Sequence, residues 1–114
     1  MTLAFALIII AMTIATGILM SVHVLRHRIM AWPMAAAHGS LAVIGVALLA
    51  GTQAPNPILG QLALIAFIFL LVVILSGAWL WRFRRRRELP PLEAIFIHAV
   101  IGIVAFGLAF AGAF

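Results

Sequence analysis

Four long apolar runs, separated by short connections, constrain this chain more than any other feature. They cover about residues 3–25, 34–51, 58–81 and 92–113. A tilted spanning helix needs roughly 17–25 mostly apolar residues, and each run meets that length. The 114 residues are 68% hydrophobic and 8% charged. Small soluble domains cannot hide so much apolar surface, so the solvent is lipid. The reading is an all-α, four-helix transmembrane bundle forming one domain, 1–114, with any chemistry inside or beside the bilayer. The first run lacks the basic flank of a secretory signal and is read as a retained helix.

Prolines mark the helix boundaries. Pro33 precedes the second run and Pro90–Pro91 lead into the fourth, where a missing N–H costs little. Gly51 followed by Pro55-Asn56-Pro57 breaks the chain between the second and third runs.

All seven basic residues are arginines: Arg26, Arg28, Arg82, Arg84, Arg85, Arg86 and Arg87. They fall in two connections on the same side of the bundle, while the 52–57 connection and both termini carry none. Orientation in the membrane accounts for them better than nucleic acid does. The positive-inside rule puts both arginine connections in the cytoplasm, and both termini on the periplasmic side of a bacterial inner membrane. Trp32, Trp79 and Trp81 fall near that cytoplasmic interface. The arginine run at 82–87 serves as a topology anchor that attracts anionic lipid.

No cysteine is present, which excludes disulfides, cysteine-held iron–sulfur clusters and covalent Cys-x-x-Cys-His haem. Glu88 lies in a connection and Glu93 in the first turn of the fourth helix. Neither is deep in the membrane, which argues against a cation-coupled transporter. No nucleophile is paired with a base and no acidic pair occurs, so a stand-alone enzyme is not the expectation.

Shifting the chain by sixty positions lays the first helical hairpin over the second. Gly17 meets Gly77, Arg26 meets Arg86, and His38 meets His98; Ala6, Ile8, Ile14 and Leu48 match Ala66, Ile68, Ile74 and Leu108. Both hairpins turn on one side, so this weak tandem repeat has its axis along the membrane normal. His38 lies four residues into its run and His98 six, or about 6 and 9 Å at 1.5 Å per residue. A stripe of mostly small residues follows each at helical spacing: Ala42, Gly45, Leu49 and Thr52 after His38, and Gly102, Ala105, Ala109 and Gly112 after His98. Such stripes pack helices closely or leave space for a flat ligand.

Histidine at membrane depth usually faces the bundle interior, a cavity or a cofactor. Two inward imidazoles at one level on diagonal helices suit axial ligation of a haem iron; the alternative is an interior hydrogen-bonded pair that binds nothing. With glycines in the first and third helices, the pattern resembles the haem-binding four-helix bundles of membrane b-type cytochromes, the cytochrome b and cytochrome b561 groups. The resemblance implies haem b held by His38 and His98, with Gly17 and Gly77 making room for the porphyrin. Arg26 and Arg86 would pair with its propionates. Those families usually carry two haems; one histidine pair here implies one.

The expected function is single-electron transfer, within a larger redox complex or a homo-oligomer, to or from a quinone or partner subunit. The alternative is a haem-free accessory subunit packed against a larger membrane complex. His23 and His27, four apart at the end of the first helix, share a face there and form an alternative metal or quinone site.

Overall fold

The computed structural model describes residues 3–52 and 56–113, so Pro55 lies outside the described residues. It contains four α-helices: α1 (Leu3–Leu25), α2 (Trp32–Ala50), α3 (Pro57–Arg86) and α4 (Leu92–Ala111). Each is long and apolar enough to cross a membrane. The protein is a four-helix transmembrane bundle.

Five boundaries differ from those read in the sequence, two of them, the end of α2 at Ala50 and the start of α3 at Pro57, by one residue. Helix α2 begins at Trp32, with Pro33 inside its first turn, where the fixed φ of proline suits a helix start. Helix α4 ends at Ala111, with Gly112 as its cap. Helix α3 runs on to Arg86, so Arg82, Arg84, Arg85 and Arg86 are helical rather than loop residues. Arginine is a good helix former, and its charge complements the negative end of the helix dipole. At the start of α3, the Asn56 side chain accepts from the Leu59 N–H at 2.9 Å, and Pro57 follows it.

Each helix packs against its two chain neighbours, with α4 closing back on α1. The diagonals of the bundle are therefore α1–α3 and α2–α4. The hairpin pairs α1–α2 and α3–α4 pack more closely than the seams between hairpins, as two stacked copies of one unit would.

The repeat of sixty extends to the backbone. Helix α1 ends on His27 at φ 54° and α3 on Arg87 at φ 56°. The His27 N–H donates to Val24 O and the Arg28 N–H to His23 O; sixty positions on, Arg87 donates to Arg84 O and Glu88 to Phe83 O. Both ends are thus Schellman caps closed on a left-handed residue, without the glycine usually found there.

The core occupies the half of the bundle that holds the chain ends. Ala6, Ala66, Ala105 and Ala109 are buried with Leu7, Ile10, Leu70, Val46 and Leu49. Alanine there lets backbones approach closely, which is how helices associate when lipid removes the hydrophobic drive. Gly45 does the same: a Cβ on it would stand 2.8 Å from Ile10 Cγ1. Ile8, Ile18, Ile58, Leu75 and Phe96 point outward, which lipid favours. The outer small-residue stripes are therefore packing seams, and towards the arginine end the helices part.

Candidate functional site

Where the packed half ends, the two interior histidines face one another. His38 and His98 each lie six positions past the first residue of their helices, Trp32 and Leu92. They therefore share one depth, about 9 Å along each helix at 1.5 Å per residue. Helices α2 and α4 are diagonal, and the ring centres stand 6.2 Å apart with planes inclined at 57°. Both residues are half-buried, and neither is turned out into lipid.

Each ring is gripped from the neighbouring helix. His38 Nδ1 lies 2.9 Å from the Thr13 carbonyl oxygen and 3.1 Å from Thr16 Oγ1. A carbonyl can only accept, so Nδ1 donates and carries the proton. The Thr16 hydroxyl already donates to Thr13 O at 2.8 Å, and so accepts from the ring. His98 Nδ1 lies 2.7 Å from Ser76 Oγ, whose own hydrogen goes to Val73 O at 2.9 Å. This hydroxyl also accepts. At His38 the carbonyl calls for the proton on Nδ1; at His98 the hydroxyl, with its hydrogen on Val73 O, is compatible with the same tautomer.

Glycine makes these grips possible. A Cβ on Gly17 would stand 3.0 Å from His38 Cε1, and one on Gly77 would stand 3.2 Å from His98 Cε1. The space that Gly17 and Gly77 leave is taken first by the imidazoles.

Around the histidines opens a cavity of about 820 Å³, within the size range of cofactor and ligand pockets. Its walls repeat at sixty: Gly17 with Gly77, Met20 with Leu80, Ala42 with Gly102, and Val43 with Ile103. The repeat fails in charge and bulk, because Val24 is answered by Arg84, Ser21 by Trp81, and Arg28 by Glu88. Arg84 Nε is buried and has no hydrogen-bond partner among the described residues. The cavity wall thus keeps the repeat around the histidines and departs from it towards the arginine end, where one side carries a cationic donor without a partner among the described residues.

Other expected site residues fall elsewhere. Arg26 and Arg86 are exposed and do not line the cavity; Arg28 and Arg84 do. On α3 helical rotation decides this, since two positions along a helix turn a side chain by about 200° at 3.6 residues per turn; Arg26 and Arg28 lie beyond α1, on either side of the left-handed His27. His23 and His27 do not share a helix face. Helix α1 stops at Leu25, and His27 takes the left-handed cap conformation, which ends the four-residue stacking. His23 Nδ1 is engaged by Leu19 O at 2.9 Å. No group of three or more metal-ligating side chains occurs among the described residues.

Thr16, Ser76 and Arg84 escaped the sequence reading. Thr16 and Ser76 directly precede Gly17 and Gly77 at the same offset of sixty, so the repeat held a signal for them. Arg84 has valine at its equivalent position, so the repeat could not single it out.

The histidines fit an axial ligand pair by chemistry and by spacing. Both offer an imidazole whose Nδ1 is tied to a hydroxyl or carbonyl, the arrangement usual for metal-bound histidine. Two imidazoles sharing one metal through bonds of about 2 Å have ring centres about 6 Å apart. The chain matches no protein-family model, no curated protein and no solved structure.

Proposed function

We propose that the protein is a membrane-embedded b-type cytochrome, with one haem b held between His38 and His98. The observation that carries this reading is the facing imidazole pair, 6.2 Å between ring centres, with both Nδ1 atoms hydrogen-bonded. Haem bound there would supply a one-electron redox couple. The chain's own part is to hold and shield that couple. His38 and His98 provide the donors, and Gly17 and Gly77 let the rings seat. The apolar cavity walls exclude water. Arg84 and Arg28, rather than Arg26 and Arg86, are placed to take the acidic groups of the ligand; an arginine–carboxylate hydrogen bond is charge-assisted and strong.

A site at one depth near one face cannot carry electrons across the whole bilayer. A quinone or a partner redox subunit completes the route, in a larger complex or an oligomer. In this proposal the arginine end faces the cytoplasm of a bacterial cell and the chain ends face the periplasm. Labelling of Arg28→Cys from the cytoplasmic side and of Thr52→Cys from the periplasmic side tests that orientation.

The test of function is a reduced-minus-oxidised absorption spectrum of the purified full chain, expressed with ample haem. A sharp b-type band, absent from both His38→Ala and His98→Ala, is the expected result. A featureless wild-type spectrum overturns the proposal in favour of a haem-free accessory subunit.

A further inference from the structure

The grip on the two imidazoles is built from one repeated device with one difference between its copies. Thr16 on α1 reaches His38 on α2, and Ser76 on α3 reaches His98 on α4, each across twenty-two positions of sequence. Both hydroxyls also reach a carbonyl of their own helix, and with the hydrogen on that carbonyl each presents a lone pair to the ring. We infer that the fold holds His38 and His98 as the Nδ1–H tautomer, His38 chiefly through the Thr13 carbonyl with Thr16 beside it and His98 through Ser76 as its positioning residue, leaving each Nε2 as the free donor.

This is not the form a histidine side chain adopts by default. In water the neutral ring prefers its proton on Nε2, and a ring in that state has no lone pair on Nε2 to give. The fold reverses the preference by placing acceptors at Nδ1. The two copies do this with unequal redundancy. His38 has the Thr13 carbonyl at 2.9 Å as well as the hydroxyl, and a carbonyl cannot change role. His98 has only the Ser76 hydroxyl among the described partners, with Val73 O serving the serine instead. His98 therefore depends wholly on one side chain, whereas His38 does not.

That the free nitrogens serve a haem rests on the proposed function; the tautomer itself does not. The experiment uses the full chain in phospholipid nanodiscs, free of haem and labelled with nitrogen-15 at histidine. His23→Gln/His27→Gln removes the other two signals. Nitrogen NMR distinguishes the protonated from the bare ring nitrogen. The expected wild-type result is a protonated Nδ1 and a bare Nε2 on both rings. Thr16→Val leaves His38 unchanged because the Thr13 carbonyl remains. Ser76→Ala moves the His98 proton largely to Nε2, and Ser76→Thr restores it.

A wild-type Nε2–H ring at either site overturns the inference, and that measurement decides the matter even if Ser76→Ala fails to accumulate. An unchanged His98 in folded Ser76→Ala overturns the role of Ser76. The two readings fail separately. Nδ1–H rings with no b-type band leave the tautomer and remove the haem; a b-type band with Nε2–H rings in the haem-free chain does the reverse.

Discussion

Gly17 lies against His38 so closely that a methyl group on it would stand 3.0 Å from the imidazole Cε1. Real side-chain contacts are rarely that short, so Gly17→Ala must displace the ring. Overpacking costs about 1–3 kcal/mol, while replacing a helical glycine by alanine returns about 1 kcal/mol. The net is a loss of about 0–2 kcal/mol. Gly17→Ala should therefore lower thermal stability by no more than that while sharply reducing haem retention. Gly77→Ala should have the same effect more mildly, since its methyl would stand 3.2 Å from His98 Cε1. Gly107→Ala meets nothing within 4 Å and should stabilise the chain by about 1 kcal/mol. Thermal unfolding in detergent and the b-type absorbance of the same samples check all three.

The α1–α2 crossing turns on Gly45, where an added Cβ would stand 2.8 Å from Ile10 Cγ1 and 3.4 Å from the Ile10 backbone nitrogen. Gly45→Ala should destabilise the bundle by about 1–3 kcal/mol before the helix-propensity gain. In an Ile10→Ala background the same substitution should cost much less, because the blocking atom is gone. The resulting non-additivity in a double-mutant cycle is the signature of direct contact. Additive effects would show that the two residues do not meet.

His27 and Arg87 hold left-handed conformations at φ 54° and 56°, which cost an L-residue about 1–2 kcal/mol. Glycine adopts them freely and is the usual residue at this position of a Schellman cap. His27→Gly and Arg87→Gly should each raise stability by about 1 kcal/mol. Both should leave the cavity and its spectrum unaltered. A loss of stability in either variant would mean that the side chain contributes more than its backbone costs.

Arg84 carries a buried Nε without a partner among the described residues, and an unsatisfied buried donor costs about 1–3 kcal/mol. Arg84→Met should therefore stabilise the haem-free chain yet weaken haem retention. Arg26→Ala and Arg86→Ala, at exposed positions outside the cavity, should do neither. Unfolding of haem-free samples and titration with haem separate the two effects. Equal losses for Arg86→Ala and Arg84→Met would return the anion-binding role to the sequence-derived pair.

Much of this molecule was legible before any helix was packed. The four spanning segments, their hairpin repeat and the level of His38 and His98 follow from hydropathy and a sixty-residue offset. Two boundary errors had local causes: arginine at 82–86 extends α3 because it is a helix former, and Pro33 sits inside α2 instead of before it. The site was less legible. Thr16 and Ser76 were passed over because a hydroxyl in an apolar helix usually bonds its own backbone, as both also do. Their second contact depends on which way the helix is turned towards its neighbour.

Lipid imposes its demands one segment at a time: each helix must satisfy its own backbone and present apolar side chains outward. For that reason the amino-acid order alone determined the number of helices, their approximate spans, the side on which the arginines gather and the half of the bundle in which the imidazoles lie. Tertiary structure decided the rest. It settled that Arg84 and not Arg86 enters the cavity, that His27 leaves the helix on which His23 stays, and which hydroxyl reaches each imidazole. The first and last depend on the rotation of helices against one another, which close contacts such as Gly45 against Ile10 set only when the bundle closes; the second depends on the left-handed cap that ends α1.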